Sequence, residues 1–496
     1  MIKLITDHPE YANDIAEEIR LFYSNTEVDI VSSDDTLRDG DVIISVFLKS
    51  DGREWISDAH YRGLYGTRVE NYDYSYTMPA VNGSELIVKR YEKRCVKVAV
   101  FRLLKGIFKD NNTPWGSLTG IRPTRLLREL TGELGESGAM RTMTDMFDVS
   151  NEKLSLAKQI CDAQSPVLAT QTQDDVDVYV GIPFCRTKCM YCSFASCVRT
   201  KKTDMAAYID ALCRDIEFGA QIVCESGRKV RSMYVGGGTP TVLTAQELNR
   251  VLECAIEAYG GYGNEFTVEA GRPDTIDREK LEIIRSFGAK RISINPQTMN
   301  QRTLHLVCRD HTVEDIFNCY DLARDVGFEV INMDVIVGLP EETINDVGNT
   351  FERIYELAPN NLTVHTLAIK RSSALKSQLG NYNLAQAEEE VERMVELGYA
   401  TAQRLGLHPY YMYRQKYMSG NLENVGYAAD GCDCIYNIDM MEDTTTIMAH
   451  GAGAMTKVMF DAERRVERIP NPKDIGTYIA KVAKLAEEKR AMFTRG

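Results

Sequence analysis

Six short apolar runs alternate with six stretches of helical periodicity from about Val176 onward. The apolar runs, which we expect to be buried strands, are Val176–Ile182, Ser232–Val235, Phe266–Val268, Arg291–Ile294, Val330–Val337 and Leu362–Ile369. The helical stretches lie near 204–225, 245–259, 277–287, 313–326, 343–357 and 384–405. Six β-α units in succession predict a parallel sheet with right-handed crossovers. Because six units fall short of the eight of a closed barrel, we predict an α/β fold with a partial (β/α)6 barrel.

The segments on either side of these units have a looser pattern. Before them, short strands at Met1–Thr6, Val28–Ser32 and Asp41–Phe47 surround a helix near Glu10–Tyr23, and Val96–Lys109 has helical spacing. The polar stretch Gln164–Asp177 contains a proline and is interpreted as a linker. After the last unit, Tyr410–Tyr417 resembles a strand, Asn421–Tyr427 and Asp430–Tyr436 resemble loops, and Asn471–Lys489 resembles a helix. We therefore predict three domains: an N-terminal α/β module (1–170), the barrel (171–407) and a C-terminal appendage on the substrate side (408–496).

Composition indicates a folded protein of the cytosol. Hydrophobic residues make up 44% of the chain and charged residues 26%, as in soluble globular proteins. The longest apolar stretches, such as Val42–Leu48, are far shorter than a membrane span, and the charged start of the chain does not fit a signal peptide. Thirteen cysteines, an odd number, do not form a disulfide framework. We therefore expect a cytoplasmic protein that does not bind membranes.

Charge is distributed unevenly along the chain. The net charge of −14 argues against nucleic acid as a partner. Eleven Lys and Arg nevertheless lie between Lys89 and Arg128, against two acidic residues, Glu92 and Asp110. This basic stretch is either a solvated helical face or a surface for a polyanion, a protein partner or an anionic substrate.

Chemically unusual residues follow the ends of the six predicted strands. In α/β barrels the carboxyl ends of the strands carry the active site. The residues are a cysteine cluster, the glycine run Gly236–Thr241, Glu269, Gln297, Asp334 and Ala368. The coincidence of these features with strand ends predicts one site at that end of the barrel.

The cysteine cluster has the spacing C-x3-C-x2-C, formed by Cys185, Cys189 and Cys192. Three thiolates on a tight loop can hold three irons of a cubane cluster and leave the fourth iron open for a small molecule. The alternative is structural zinc, which needs a fourth ligand and usually a second ligand pair. The run Gly236-Gly237-Gly238 is either a tight turn or a loop whose backbone approaches a ligand closely.

With the preceding Val180-Gly181-Ile182-Pro183-Phe184, the cysteine motif resembles the radical S-adenosylmethionine superfamily. That resemblance implies one 4Fe–4S cluster on Cys185, Cys189 and Cys192. It also implies S-adenosylmethionine bound through its methionine part to the open iron, next to the glycine run. Electron transfer to that cofactor yields a 5′-deoxyadenosyl radical, so the hardest chemistry is the cofactor's own.

Further residues resemble the oxygen-independent coproporphyrinogen III oxidase group of this superfamily. Its cofactor-contacting residues match in order at Tyr179, Glu269, Gln297, Arg309, Asp334 and Ala368. The group binds two S-adenosylmethionine molecules. By this resemblance, Tyr179, Gly237 and Glu269 serve the first, and Met455 of the late glycine loop touches it. Those that serve the second or border both are Tyr191, Gly238, Thr239, Gln297, Arg309, Asp334 and Ala368.

Motifs outside the barrel are similar to the HemZ-type branch of the group. They are Tyr410–Lys416, Asn421–Tyr427 and Thr119–Thr124. The branch implies oxidative decarboxylation of coproporphyrinogen III to protoporphyrinogen IX in heme biosynthesis. It also implies an electron donor such as flavodoxin or ferredoxin.

One position departs from the oxidases of the group. They carry an extra cysteine two residues after the third ligand, where this chain has Phe194, and the next cysteine is Cys197. Heme chaperones of the group also lack that cysteine. A heme-binding trafficking protein, or another radical enzyme that acts on a tetrapyrrole, for instance by heme ring opening with methyl transfer, therefore remains an alternative.

The carboxylates of coproporphyrinogen require cations near the barrel mouth. The candidates are Arg199, Lys201, Lys202, Lys370, Arg371, Arg414 and Lys416. Lys370 and Arg371, which follow the sixth strand, are preferred, and solvated surface charge is the alternative for each. No catalytic acid or base is assigned.

Overall fold

The contacts of the chain in the computed structural model divide it into two compact units, Met1–Lys158 and Gln159–Gly496. The structure describes residues 1–23, 26–32, 38–120, 122–194, 196–368, 375, 388–415, 422–460 and 465–495. No helix in these ranges is both long and apolar enough to cross a membrane.

The first unit is a five-stranded sheet packed against helices. The strand order is β2-β1-β3-β4-β5, parallel among the first three and antiparallel beyond. The strands are β1 Ile2–Thr6, β2 Val28–Ile30, β3 Val42–Ser50, β4 Glu54–Tyr65 and β5 Arg68–Pro79. The helices are α1 Ala12–Arg20, α2 Glu85–Ile107, α3 Pro123–Arg141 and α4 Asn151–Ala169, the last of which continues into the second unit.

The core of the first unit follows from alternation. Along β4, Trp55, Ser57, Ala59 and Tyr61 are buried while the residues between them are more exposed, as expected for a strand with one covered face. The helix α2 begins before the predicted Val96–Lys109 stretch. Its first three turns carry exposed charges, so they lack the apolar spacing on which the prediction was based.

The second unit contains the predicted barrel. Six neighbouring parallel strands form the middle of an eleven-stranded sheet, in the order β13-β12-β11-β10-β9-β6. They are β6 Asp175–Ile182, β9 Lys229–Gly237, β10 Glu265–Gly271, β11 Arg291–Ile294, β12 Val330–Val337 and β13 Asn361–Thr366. The prediction of a partial (β/α)6 barrel is confirmed.

Helices connect the barrel strands. Threonines Thr244, Thr312 and Thr343 form capping boxes at the starts of three of them, which fixes where these helices begin. The helices of this unit are α5 Met205–Glu225, α6 Ala245–Tyr259, α7 Arg278–Ser286, α8 Gln301–Leu306, α9 Val313–Val326, α10 Ile344–Leu357, α11 Glu388–Arg404, α12 Ile435–Glu442 and α13 Ile475–Phe493.

Strands from the last part of the chain extend both edges of the barrel sheet. β14 and β15 add antiparallel to β13, whereas β16 adds parallel to β6 and is followed by β17 and β18. Their bounds are β14 His408–Tyr413, β15 Asn424–Ala428, β16 Thr446–His450, β17 Met455–Phe460 and β18 Arg465–Pro470. A separate two-stranded ribbon is formed by β7 Phe184–Cys185 and β8 Cys197–Val198.

Two local predictions were wrong. The stretch predicted as a linker from Gln164 begins as helix, because α4 continues to Ala169 and contains Pro166. The stretch predicted as a loop, Asn421–Tyr427, is largely the buried strand β15. Gly426 does not form a turn in this strand. Its missing side chain leaves room for the ring of Tyr411, which an added Cβ would overlap.

Candidate active site at the carboxyl ends of the barrel strands

The cysteine loop leaves the barrel at the end of β6. Cys185 ends β7, Cys189 is 8% exposed, and Cys192 is half-buried. The backbone amide of Met190 donates to Val307 O at 3.1 Å and thereby fixes the loop to the segment that follows α8. Burial, reinforced by the neighbouring thiols of Cys189 and Cys185, raises the pKa of Cys192. The loop therefore gathers three thiols in a poorly solvated place.

The arrangement of the thiols bears on the choice between a cluster and a single ion. In the described part of the chain no three His, Cys, Asp or Glu side chains, these thiols included, converge as the ligands of one metal ion do. In a cubane cluster each thiolate binds a different iron, so that convergence is not required. A Cβ on Gly238 would lie 3.0 Å from Cys185 Sγ and 2.6 Å from Phe184 O. Only glycine therefore permits this close approach of the glycine run to the first thiol. Thr239 Oγ1 lies 3.7 Å from the same sulfur.

A buried arginine contacts the second cysteine. Arg272, 4% exposed, follows β10, and its Nη1 donates to Cys189 Sγ at 3.6 Å and to Thr187 Oγ1 at 2.8 Å. Asp274 accepts from Nε at 2.9 Å and from Nη2 at 3.2 Å. This bidentate pair orients the guanidinium toward the sulfur.

Glu269 is the centre of the first predicted cofactor group. Its Oε1 accepts from Tyr234 OH at 2.6 Å, and its Oε2 accepts from the Gly237 amide at 3.3 Å. Burial, with the charge of Asp334 adding to it, raises the pKa of Glu269 to about 7. Tyr179 stacks on Tyr234 with ring centroids 6.3 Å apart. The structure thus brings Tyr179, Gly237 and Glu269 together.

Arg309 joins the cysteine loop to the strand ends. It is 3% exposed, and its Nη1 donates to Tyr191 OH at 3.1 Å while Nη2 donates to Asn295 O. Its Nε makes no hydrogen bond to the described residues. A buried guanidinium with one donor unused is suited to an anionic group such as a carboxylate.

Gln297 follows β11, and Asp334 lies within the adjacent strand β12, three residues before its end. Gln297 has φ of 68°, and its amide donates to Asp334 O at 2.9 Å. A glutamine in the left-handed region is strained, and its buried Oε1 makes no hydrogen bond within the described chain. Both features are consistent with a side chain held ready for a ligand.

His365 and Asn332 orient Asp334. Asn332 Nδ2 donates to Asp334 Oδ1 at 2.8 Å, and His365 Nε2 lies 3.7 Å from Asp334 Oδ2. Burial opposes ionisation of this carboxyl, but His365 and the hydrogen-bonding neighbours outweigh it and lower the pKa of Asp334. At neutral pH the site therefore carries an ionised Asp334 beside a Glu269 that is only partly ionised.

The remaining predicted residues are less closely tied to this group. Ala368 is half-buried, two residues beyond β13. Met455 begins β17, on the far side of β16 from β6, and is 44% exposed. The predicted substrate cations differ in their surroundings. Arg199 is paired with Glu247 at 2.7 Å, and Arg414 is buried, with 4% of its surface exposed. Lys201 and Lys202 are exposed. Lys370, Arg371 and Lys416 lie outside the described residues.

Several residues of the site were not predicted from the sequence. Tyr436 of α12 stacks on Tyr234 at 4.6 Å and on Tyr179 at 6.0 Å, which makes an aromatic wall beside Glu269. Arg272 was also missed. Its position directly after β10 was a usable signal, whereas nothing in the sequence connects Tyr436 to Tyr234.

Comparisons with known proteins agree with this geometry. The family model of the Radical SAM superfamily matches residues 179–354. The chain is 38% identical over 381 residues to the oxygen-independent coproporphyrinogen-III oxidase-like protein HemZ of Bacillus subtilis (strain 168). The aligned residues cover 76% of this chain and 76% of HemZ. It is 30% identical over 243 residues to the heme chaperone HemW of the same strain, over 47% of this chain and 61% of HemW.

A solved structure shares the fold. Coproporphyrinogen III oxidase (HemN) from Escherichia coli, a radical SAM enzyme, aligns with a TM-score of 0.50 at 23% identity. The match covers 66% of this chain and 73% of that chain.

Proposed function

Since this chain belongs to the radical S-adenosylmethionine superfamily, within the oxygen-independent coproporphyrinogen III oxidase-like family, we propose that it oxidatively decarboxylates coproporphyrinogen III to protoporphyrinogen IX in heme biosynthesis. Two observations support this proposal: Arg309 donates to Tyr191 OH of the cysteine loop, and Glu269 lies close enough to Asp334 for the charge of Asp334 to raise its pKa. Two carboxylates and one buried guanidinium at strand ends are suited to a zwitterionic, ribose-bearing cofactor.

Different residues of the chain would have different roles in this reaction. Cys185, Cys189 and Cys192 would hold one 4Fe–4S cluster, and the glycine run would admit the cofactor's methionine part close to it. Together the cluster and S-adenosylmethionine would supply the one-electron chemistry that starts hydrogen removal from a propionate β-carbon. Formation of each vinyl group with loss of carbon dioxide would also require an external acceptor for one electron. The aromatic wall of Tyr179, Tyr234 and Tyr436 excludes water from this region.

The proposal includes two cofactor positions. Tyr179, Gly237 and Glu269 would form the first, and Met455 of the late glycine loop would touch that cofactor. The second position, or the border of both, would use Tyr191, Gly238, Thr239, Gln297, Arg309, Asp334 and Ala368. In it, Arg309 would bind the methionine carboxylate through the donor that the protein leaves unused.

Substitution of Arg272 is expected to lower the reduction potential of the cluster. A cation that donates to a ligating sulfur stabilises the more negative, reduced cluster. Arg272→Gln removes that donor and should make the cluster harder to reduce, as measured by potentiometric titration followed by electron paramagnetic resonance. Arg186→Gln is the matched control, because Arg186 also contacts Asp274, at 3.7 Å, but is exposed. An unchanged potential in Arg272→Gln with full iron content would contradict this role.

Binding of S-adenosylmethionine is expected to weaken as the pH falls below 7. The pKa of Glu269 is about 7, so its carboxyl is ionised above that pH and becomes neutral below it. If the ionised form binds the cofactor, affinity should fall about tenfold for each pH unit below the pKa. Equilibrium binding measured between pH 8 and 6 checks this, and Glu269→Gln should give a nearly flat profile. A wild-type profile as flat as that of the variant would refute the assignment.

The segment that contains the cysteine loop is rich in basic residues, which suggests how the reductant binds. Between Asp177 and Asp204 the chain has five Lys or Arg and no Asp or Glu. Phe194, in this segment, is 71% exposed. An acidic electron carrier such as flavodoxin or ferredoxin would complement this segment, and we expect the reaction to take place in the cytosol.

A heme-trafficking role is the second candidate. Two observations favour it: Phe194 in place of the oxidases' extra cysteine, and the similarity to the heme chaperone HemW. Anaerobic incubation of reduced protein with S-adenosylmethionine and coproporphyrinogen III, with products identified by mass, separates the two. The proposal predicts loss of carbon dioxide and two hydrogens from each of two propionates. Tight heme binding with an unchanged substrate, in a sample with a competent cluster, would establish the trafficking role instead.

A further inference from the structure

The N-terminal unit contains a cavity of about 170 Å³ lined by four cations. They lie on one face of α2, at the three- and four-residue spacings that place side chains next to each other on a helix. The cations are Arg90, Lys93, Arg94 and Lys97. The loop 117–120 and the side chains of Leu126 and Phe147 form the other walls. These cations belong to the basic stretch 89–128, which the proposed function leaves unexplained.

Three of the four cations have a carboxylate partner. Like charges on one helix face repel each other, and the carboxylates reduce that repulsion. Two of the pairs are partly exposed to solvent, so their interaction is weak. The pairs are Arg90–Glu129 at 3.5 Å, Lys93–Asp14 at 3.4 Å and Lys97–Glu18 at 3.0 Å. Glu129 is also shared with Arg125, at 3.1 Å. The carboxylates thus do not match the cations one for one.

Arg94 is the cation with no such partner. Its guanidinium lies 4.7 Å from the ring centroid of Tyr91 and 5.9 Å from that of Phe147. Among the described residues no carboxylate lies within 4 Å of it. Burial lowers the pKa of Arg94, but a guanidinium stays charged at any physiological pH. A cation withdrawn from water needs a counter-charge, and the aromatic rings provide only part of one.

Glu18 contributes less than a full negative charge near neutral pH, because its carboxyl group is only partly ionised there. It is fully buried, and burial raises its pKa to about 7 despite the adjacent Lys97. Its Oε1 accepts from Lys97 and from Thr119 Oγ1, whereas its Oε2 has no hydrogen-bond partner in the described chain. Near neutral pH the cavity wall therefore carries a net positive charge.

We propose that this cavity binds a small molecule through an oxyanion, phosphate or carboxylate, held by Arg94. The guanidinium fork matches either oxyanion in bidentate fashion, and Lys93, whose contact with Asp14 is partly exposed, can turn toward the same anion. The apolar walls at Val98, Leu126 and Phe147 would contact the carbon part of the ligand. A partly open cavity of this small volume suits a small molecule rather than a nucleic-acid backbone. This gives the N-terminal unit a binding function that does not depend on the proposed reaction.

Titration calorimetry of the full-length protein at low salt tests this proposal, with inorganic phosphate in one arm and propionate in the other. We expect saturable binding at one site in at least one arm, and the arm with the tighter binding identifies the oxyanion. Arg94→Gln should weaken that binding at least tenfold. Arg94→Lys, which keeps the charge but loses the fork, should give a smaller loss and serves if the glutamine variant does not fold.

Lys89→Gln is the matched control. Lys89 is on the same helix and pairs with Glu85 at 2.5 Å, but it does not line the cavity. Its replacement should leave binding unchanged. Absence of binding in both arms, or equal weakening by Arg94→Gln and Lys89→Gln, would overturn the proposal, since the second result would indicate diffuse surface charge.

Discussion

Replacement of any one of Cys185, Cys189 or Cys192 by alanine is expected to abolish the iron–sulfur cluster. Each thiolate would bind a different iron, so the loss of one leaves that iron without its protein ligand. Protein reconstituted anaerobically should contain close to one 4Fe–4S centre per chain, and each variant should contain none. Iron and sulfide analysis together with electron paramagnetic resonance measures this loss directly.

Cys197→Ala is the control for that experiment. Cys197 lies in β8, its side chain is exposed, and its amide donates to Pro183 O at 2.9 Å. Its role is thus to close the ribbon with β7, and the cluster should survive its replacement. Loss of the cluster in Cys197→Ala alone would show that the ligands were wrongly assigned. Circular dichroism of all four variants confirms that the fold is kept.

Glu269→Ala and Asp334→Ala are expected to weaken binding of S-adenosylmethionine without removing iron. A hydrogen bond to a charged group contributes about 1.5–3 kcal/mol, so each variant should lose about tenfold to a hundredfold in affinity. Equilibrium binding to the reconstituted protein, and the yield of 5′-deoxyadenosine under reducing conditions, measure the effect.

Glu329→Ala provides the comparison for the two carboxylates. Glu329 is half-exposed, precedes β12 at the opposite end of the barrel from Asp334, and pairs with Arg285 and Lys290. It should have no effect on cofactor affinity. If Glu269→Ala and Asp334→Ala behave like Glu329→Ala, these carboxylates serve only to pack the strand ends.

The parallel barrel was predictable because its strands are buried on both faces. β12 is accordingly a largely apolar run, and β11 is buried at all four positions although two of them are polar. The bounds of both strands match the prediction at Arg291–Ile294 and Val330–Val337. In contrast, β5 was missed. It is mostly exposed and rich in Tyr, Asp and Asn, and its strand conformation depends on pairing with β4.

The same contrast applies to the site. Residues at strand ends could be predicted, because topology places all such ends at one edge of the sheet. Contacts between distant segments could not. The stacking of Tyr436 on Tyr234 and the contact of Arg272 with Cys189 depend on how the loops and the last helices pack. The partial ionisation of Glu269 also follows from burial, which the sequence pattern does not specify.

Hydrogen transfer from the substrate to 5′-deoxyadenosine is the defining step of the proposed reaction. Coproporphyrinogen III deuterated at the propionate β-carbons is incubated anaerobically with the reconstituted protein, reductant and S-adenosylmethionine, and both products are analysed by mass. The proposed reaction predicts deuterium in 5′-deoxyadenosine together with vinyl-bearing product. Unlabelled 5′-deoxyadenosine with intact coproporphyrinogen, from protein whose cluster is shown to be competent, would contradict it.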